Sequence, residues 1–86
     1  MSAIKVYVSA VGTMGNPLCA YADGIVFKDG AAVPAIESVV SGTATLVSTD
    51  TYTGIRTKIE TSMKSQLQAL GVSTALDTYT FVYLNQ

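Results

Sequence analysis

The chain has 86 residues, of which 49% are hydrophobic and 13% charged, with five Lys or Arg against six Asp or Glu, no His and one Cys. A soluble domain usually carries about 25% charged residues, so this one has a charge-poor exterior. The composition excludes a disulfide framework, His-based metal or acid–base chemistry and a basic surface for nucleic acid. The length allows one domain, residues 1–86.

Residues Ala3 to Val11 alternate, with Ile4, Val6, Val8 and Ala10 on one side and Lys5, Tyr7 and Ser9 on the other. That period of two, rich in β-branched side chains, predicts a strand. Lys5 and the apolar residues after it loosely imitate a signal peptide. Ser9, Gly12, Thr13, Gly15, Asn16 and Pro17 interrupt the apolar run, however, so neither a leader nor a membrane span is expected. Gly12 to Pro17 reads as a loop.

Asp23-Gly24 and Asp29-Gly30 stand six residues apart, and Asp-Gly favours two-residue hairpin turns. They predict a short meander, with strands at 18–22, 25–28 and 31–33. Pro34 ends the third strand or marks it as an edge. Residues 35–41 fit either a short helix or a strand. Residues 43–48 fit a strand, with Ala44 and Leu46 opposed to Thr43, Thr45 and Val47.

Thr49, Asp50 and Thr51 offer capping oxygens for a helix over about 51–70. Its apolar stripe is Tyr52, Ile55, Ile59, Met63, Leu67 and Leu70, and Gly71 is its terminator. Thr78 to Leu84 alternates Tyr79, Phe81 and Tyr83 with Thr78, Thr80, Val82 and Leu84. It is apolar or aromatic on both sides, which predicts a strand inside the sheet. Strands near both ends of the sequence are expected to lie in the sheet or against a neighbour. The fold class is α+β: a mostly antiparallel sheet of five or six strands with one amphipathic helix on one face.

None of the chemistry-bearing residues forms a convincing site. Cys19 has no His to activate it and reads as a small hydrophobe. Asp23 and Asp29 each precede Gly, so turn formation accounts for them better than an acid–base pair or a calcium loop. Gly12-x-x-Gly15 matches no phosphate loop. Arg56, Lys58 and Lys64 are interleaved with Glu60, the pattern of a solvated face. Tyr79, Phe81 and Tyr83 have no Arg or Lys on their own strand to make a base-stacking platform. No metal, cofactor, small-molecule substrate, nucleic acid or membrane is expected as a partner, and no enzymatic activity.

One helix cannot cover both faces of such a sheet. The opposite face is expected to expose some of Tyr7, Val11, Phe27, Tyr79, Tyr83 and Leu84, and monomers rarely leave such patches open. Seven threonines between Thr43 and Thr61 fit strand propensity, and equally an interface of neutral hydroxyls. The expected function is a structural subunit of a repetitive assembly. The composition is analogous to that of virion components of tailed phages, such as head decoration proteins or head and tail fittings. Its location would be a virion or the cytoplasm. The alternative is a small homo-oligomeric binding module for a protein or a small ligand. Candidate partner contacts are Lys5, Tyr7, Ser9, Met14, Asn16, Tyr79, Phe81 and Tyr83, within 5–9, 12–17 and 79–86. On that placement Tyr83→Asp would spare folding and abolish assembly.

Overall fold

The structure, a computed structural model, describes residues 2–32 and 39–84. Six strands and one helix follow in the order β1 (Ala3–Val8), β2 (Gly12–Met14), β3 (Cys19–Lys28), β4 (Ala31–Ala32), β5 (Val39–Thr45), α1 (Tyr52–Ala69) and β6 (Thr78–Tyr83). All six strands belong to one mixed sheet. The ten-residue β3 is its spine. Along one edge it pairs antiparallel with β1 and, further on, with β2; along the other it pairs with β5 and β4. β6 lies outside β1 and parallel to it, so the main order is β5-β3-β1-β6, with α1 crossing from β5 to β6.

β3 corrects the reading of Asp23-Gly24 as a turn, because the strand runs straight through both residues. Its even positions, Ala20, Ala22, Gly24 and Val26, are buried under the helix, while Tyr21, Asp23 and Ile25 face away. Gly24 serves close packing: a Cβ there would collide with a Val6 methyl. Asp29-Gly30 does make the expected turn, with φ of 53° and 84° between the paired Lys28 and Ala31. Positive φ at both central residues is the type I′ geometry that matches strand twist.

The single strand expected over 3–11 is broken. Val8 faces Gly24 and Gly12 faces Tyr21, so three residues on the first side oppose two on β3. That surplus residue is the count of a β-bulge, and it reverses the alternation. Val11 therefore packs against the core, and Met14 shares the outer face with Cys19. Gly12–Met14, expected as loop, pairs as strand, and the chain then turns through a cis Asn16–Pro17 bond. β5 begins at Val39 and ends at Thr45, earlier than the expected 43–48, because Val47 donates to Asp50 in the turn before the helix. Of the stretch 35–41 the part from Val39 onward is strand; Pro34, the end of the third predicted strand and the rest of that stretch lie outside the described residues.

α1 starts at Thr51, whose Oγ1 accepts from Gly54 N at 3.0 Å. It ends in a complete Schellman motif: Val72 N donates to Leu67 O, Gly71 N to Gln68 O, and Gly71 has φ 78°. Only Ile59, Met63 and Leu67 of the expected stripe are fully buried. Ile55 is half-buried, while Tyr52 and Leu70 are exposed, so the stripe is three residues narrower than the periodicity suggests. The core lies between that stripe and Ile4, Val6, Val8, Val26 and Val40 of the sheet. No helix among the described residues is long and apolar enough to cross a membrane.

Candidate interaction face

The helix covers one side of the sheet, and among the described residues nothing covers the other. Pairing places Ile25 between strands, beside Tyr7 on β1, with Val82 next to Tyr7 on β6. Phe27 faces Lys5, and its ring meets Tyr7 edge to face, with centroids 5.6 Å apart. Tyr21 and Thr43 continue the row pattern along β3 and β5, followed by Cys19, Thr45 and Met14. Ile25 is 50% exposed, Tyr21 42% and Met14 64%, while Tyr7 and Phe27 are half-buried.

This face has an aromatic and aliphatic centre and a margin of Ser and Thr hydroxyls. Among the described residues its charges are Lys5, whose Nζ lies 5.3 Å from the Tyr7 ring centroid, and Asp23, which accepts from Ser41 Oγ at 2.9 Å. Ser9 Oγ accepts from Asp23 N and is tied into the sheet. Cys19 is half-buried, with its Sγ 3.6 Å from Pro17 O and 3.9 Å from Thr45 Oγ1. The face offers contact area and neutral hydroxyls. With extents of 37 × 22 × 21 Å, a whole sheet face approaches the ~800 Å² that each partner contributes to a standard interface.

The sequence-derived candidates divide between two sides. Lys5, Tyr7 and Met14 lie on the open face with Ser9 beside them, and Asn16 is exposed in the turn that leads to it. Tyr79, Phe81 and Tyr83 lie on the other side: they share a face with Ile4, Val6 and Val8 and reach the flank of α1. Tyr79 OH is bound by Ser73 Oγ at 2.7 Å and Gln68 Nε2, and donates to Thr74 O. Lys64 lies over the Tyr79 and Phe81 rings, and Arg56 stacks 3.9 Å from the Tyr83 centroid. Tyr83 OH donates to Glu60 Oε2, and partial burial beside that carboxylate raises its pKa well above the usual tyrosine range. Tyr83→Asp would set a second carboxylate against Glu60, so it perturbs folding and cannot serve as a clean interface probe.

Tyr21 and Ile25 are functional candidates that the sequence reading missed. The misplaced turn at Asp23-Gly24 hid the run Cys19, Tyr21, Asp23, Ile25, Phe27, whose period of two assigns all five to one side.

A second concavity, about 300 Å³, runs between α1 and β5, lined by Thr43, Ala44, Thr45, Thr57, Lys58 and Thr61. Several of its polar groups are already engaged. Thr57 and Thr61 donate to helix carbonyls one turn back, and Lys58 pairs with Asp50 at 2.9 Å. Among the described residues no cluster of three or more His, Cys, Asp or Glu could hold a metal ion. Comparison with protein-family models, with curated proteins and with solved structures gives no match to this chain.

Proposed function

We propose that the chain is a non-enzymatic structural subunit of a repetitive assembly that docks through the open face of its sheet. Virion fittings and decoration proteins of tailed phages are the kind of component meant. The observation that carries this reading is the uncovered centre formed by Tyr7, Tyr21, Ile25 and Phe27, in which two large side chains stay 42% and 50% exposed. Ile25 is already half-buried, so covering it contributes about half of the ~1.5–3 kcal/mol that full burial of such a side chain gives. The hydroxyl margin adds contacts with few charges to desolvate. The α1–β5 groove would suit a small-ligand module, but its lysine, Lys58, is already paired with Asp50, which favours the scaffold.

The test is the mass of the purified protein by light scattering, alone and with co-purifying material, for the native chain and for Ile25→Lys. Ile25 is half exposed, so the substitution is expected to keep the native circular dichroism and to cost within about 1 kcal/mol. The native chain should form a large or partner-bound species that Ile25→Lys reduces. Equal masses without a partner in both would contradict docking through this face.

A further inference from the structure

We propose that the occupant of the open face is a second copy of this chain, related by a two-fold axis lying across the strands at the Tyr7–Ile25 pair, with Lys5 of each copy against Asp23 of the other. This rests on the functional reading above, since it names what covers the same face. The assembling unit is then a dimer.

The strand register supplies the symmetry. Tyr7 on β1 faces Ile25 on β3. Lys5 stands two residues from Tyr7 and faces Phe27. Asp23 stands two residues from Ile25 in the opposite direction along the sheet, where its carbonyl accepts from Ser9 N. At ~3.3 Å per residue the two charges are about 13 Å apart along the strands, and they lie on neighbouring strands ~4.8 Å apart. An axis across the strands at Tyr7–Ile25 exchanges the two ends of this diagonal. Lys5 of one copy then comes over the Asp23 end of the other, offset by one strand, a gap that the four-carbon stem of lysine spans. The same operation sets Tyr7 and Ile25 against their own counterparts, giving an apolar centre with a polar rim.

Charge selects a second copy over a different partner. Among the described residues Lys5 and Asp23 are the strand charges of this face, and both are exposed, so the face is neutral and complementary to itself. Their partners within the described chain, the Tyr7 ring and Ser41 Oγ, are neutral groups. The next acid outward, Asp29, accepts from Ala3 N four residues beyond Ile25. It falls opposite Tyr21 of the second copy, a phenol and not a carboxylate. Lys28 is turned to the helix side, where its Nζ donates to Val72 O. Asp77 accepts from Ser2 N and Thr74 N at the end of the sheet. The other described charges, Asp50, Arg56, Lys58, Glu60 and Lys64, belong to α1 and the turn before it. The whole face approaches the ~800 Å² that each half of a standard interface contributes, so two copies suffice for a stable dimer.

Sedimentation equilibrium of the purified chain tests the pairing. The expected species is a dimer, twice the 9.0 kDa chain, and Ile25→Lys should be a monomer. Lys5→Glu alone and Asp23→Lys alone should each raise the dimer Kd about tenfold or more, because each homodimer then holds two like-charge contacts. An equimolar mixture of the two should recover a heterodimer, and the double variant carrying both substitutions should dimerise again. Lys5→Glu decides the matter if Asp23→Lys fails to fold. A native monomer at millimolar concentration would overturn the pairing, as would a dimer indifferent to the charge reversals or one that the mixture fails to restore. A native monomer whose co-purifying partner is lost with Ile25→Lys would overturn the second copy alone and leave the functional reading standing. A dimer unaffected by Ile25→Lys would overturn both.

Discussion

Gly42 sets the depth at which the helix rests on the sheet. A Cβ at this position would lie 2.6 Å from Ile59 Cγ2 and 2.9 Å from Ile59 O. The methyl could rotate aside, but the backbone oxygen could move only with the helix. Gly42→Ala is therefore expected to destabilise the fold by about 1–3 kcal/mol, read as a lower urea midpoint. Three aspartates act at the same scale. Asp29 accepts from Ala3 N, Asp77 from Ser2 N and Thr74 N, and Asp50 from Val47 N and Lys58. These hydrogen bonds hold all three carboxyls below the usual aspartate range. The unfolded chain thus binds more protons in acid, so this contribution is complete above about pH 5 and is lost as the pH falls through and below 3.8. Tyr83 supplies the opposite limb. Its raised pKa gives stability that is whole below 10.0 and declines above it. Thermal melts from pH 2 to pH 11 should show both shoulders, and Asp29→Asn with Asp77→Asn should flatten the acid one.

At the scale of elements, the helix and the first strand are legible because several signals agree over many residues. α1 has a cap, a 3.6-residue period and a glycine stop, and it forms within a residue or two of the expected 51–70. The sheet with a helix on one side follows from that stripe. Asp23-Gly24 misleads because a two-residue turn propensity is local, whereas the alternation over Cys19–Lys28 persists for ten residues and is backed by pairing on both edges. β6 misleads differently. Its two apolar sides suggest a central strand, yet it is the outermost on the main path, and its aromatic rings are covered by Arg56, Lys64 and Gln68 of the helix instead of by a layer of their own. Three of the eight candidate contacts, Tyr79, Phe81 and Tyr83, consequently lie under the helix flank, and Tyr21 and Ile25 take their place on the open side. On the outer edge of β5, Gln66 Oε1 accepts from Ser41 N and Ser62 Oγ from Thr43 N, and this leaves no trace in sequence, since it depends on how the helix crosses. Ser62→Ala with Gln66→Ala should uncover two backbone donors, cost about 1–2 kcal/mol and raise aggregation measured by turbidity on mild heating.

At the scale of the whole molecule, the described residues hold one helix to cover a sheet with two faces. Its core is built wholly between α1 and the inner side, from Ile4, Val6, Val8, Val26 and Val40 against Ile59, Met63 and Leu67. The outer side keeps Tyr21 and Ile25 in solvent and carries Lys5 and Asp23 as its strand charges. A partner on that side would complete a third layer.

Hydroxyl-radical footprinting of the purified chain, dilute and then concentrated or with its co-purifying partner, tests the central claim most directly. Docking through the open face predicts that labelling of Tyr7, Tyr21, Ile25 and Phe27 falls together while that of Tyr52 and Leu76, exposed elsewhere, stays constant. Protection of Tyr52 or Leu76 with no change at Tyr21 and Ile25 would contradict it.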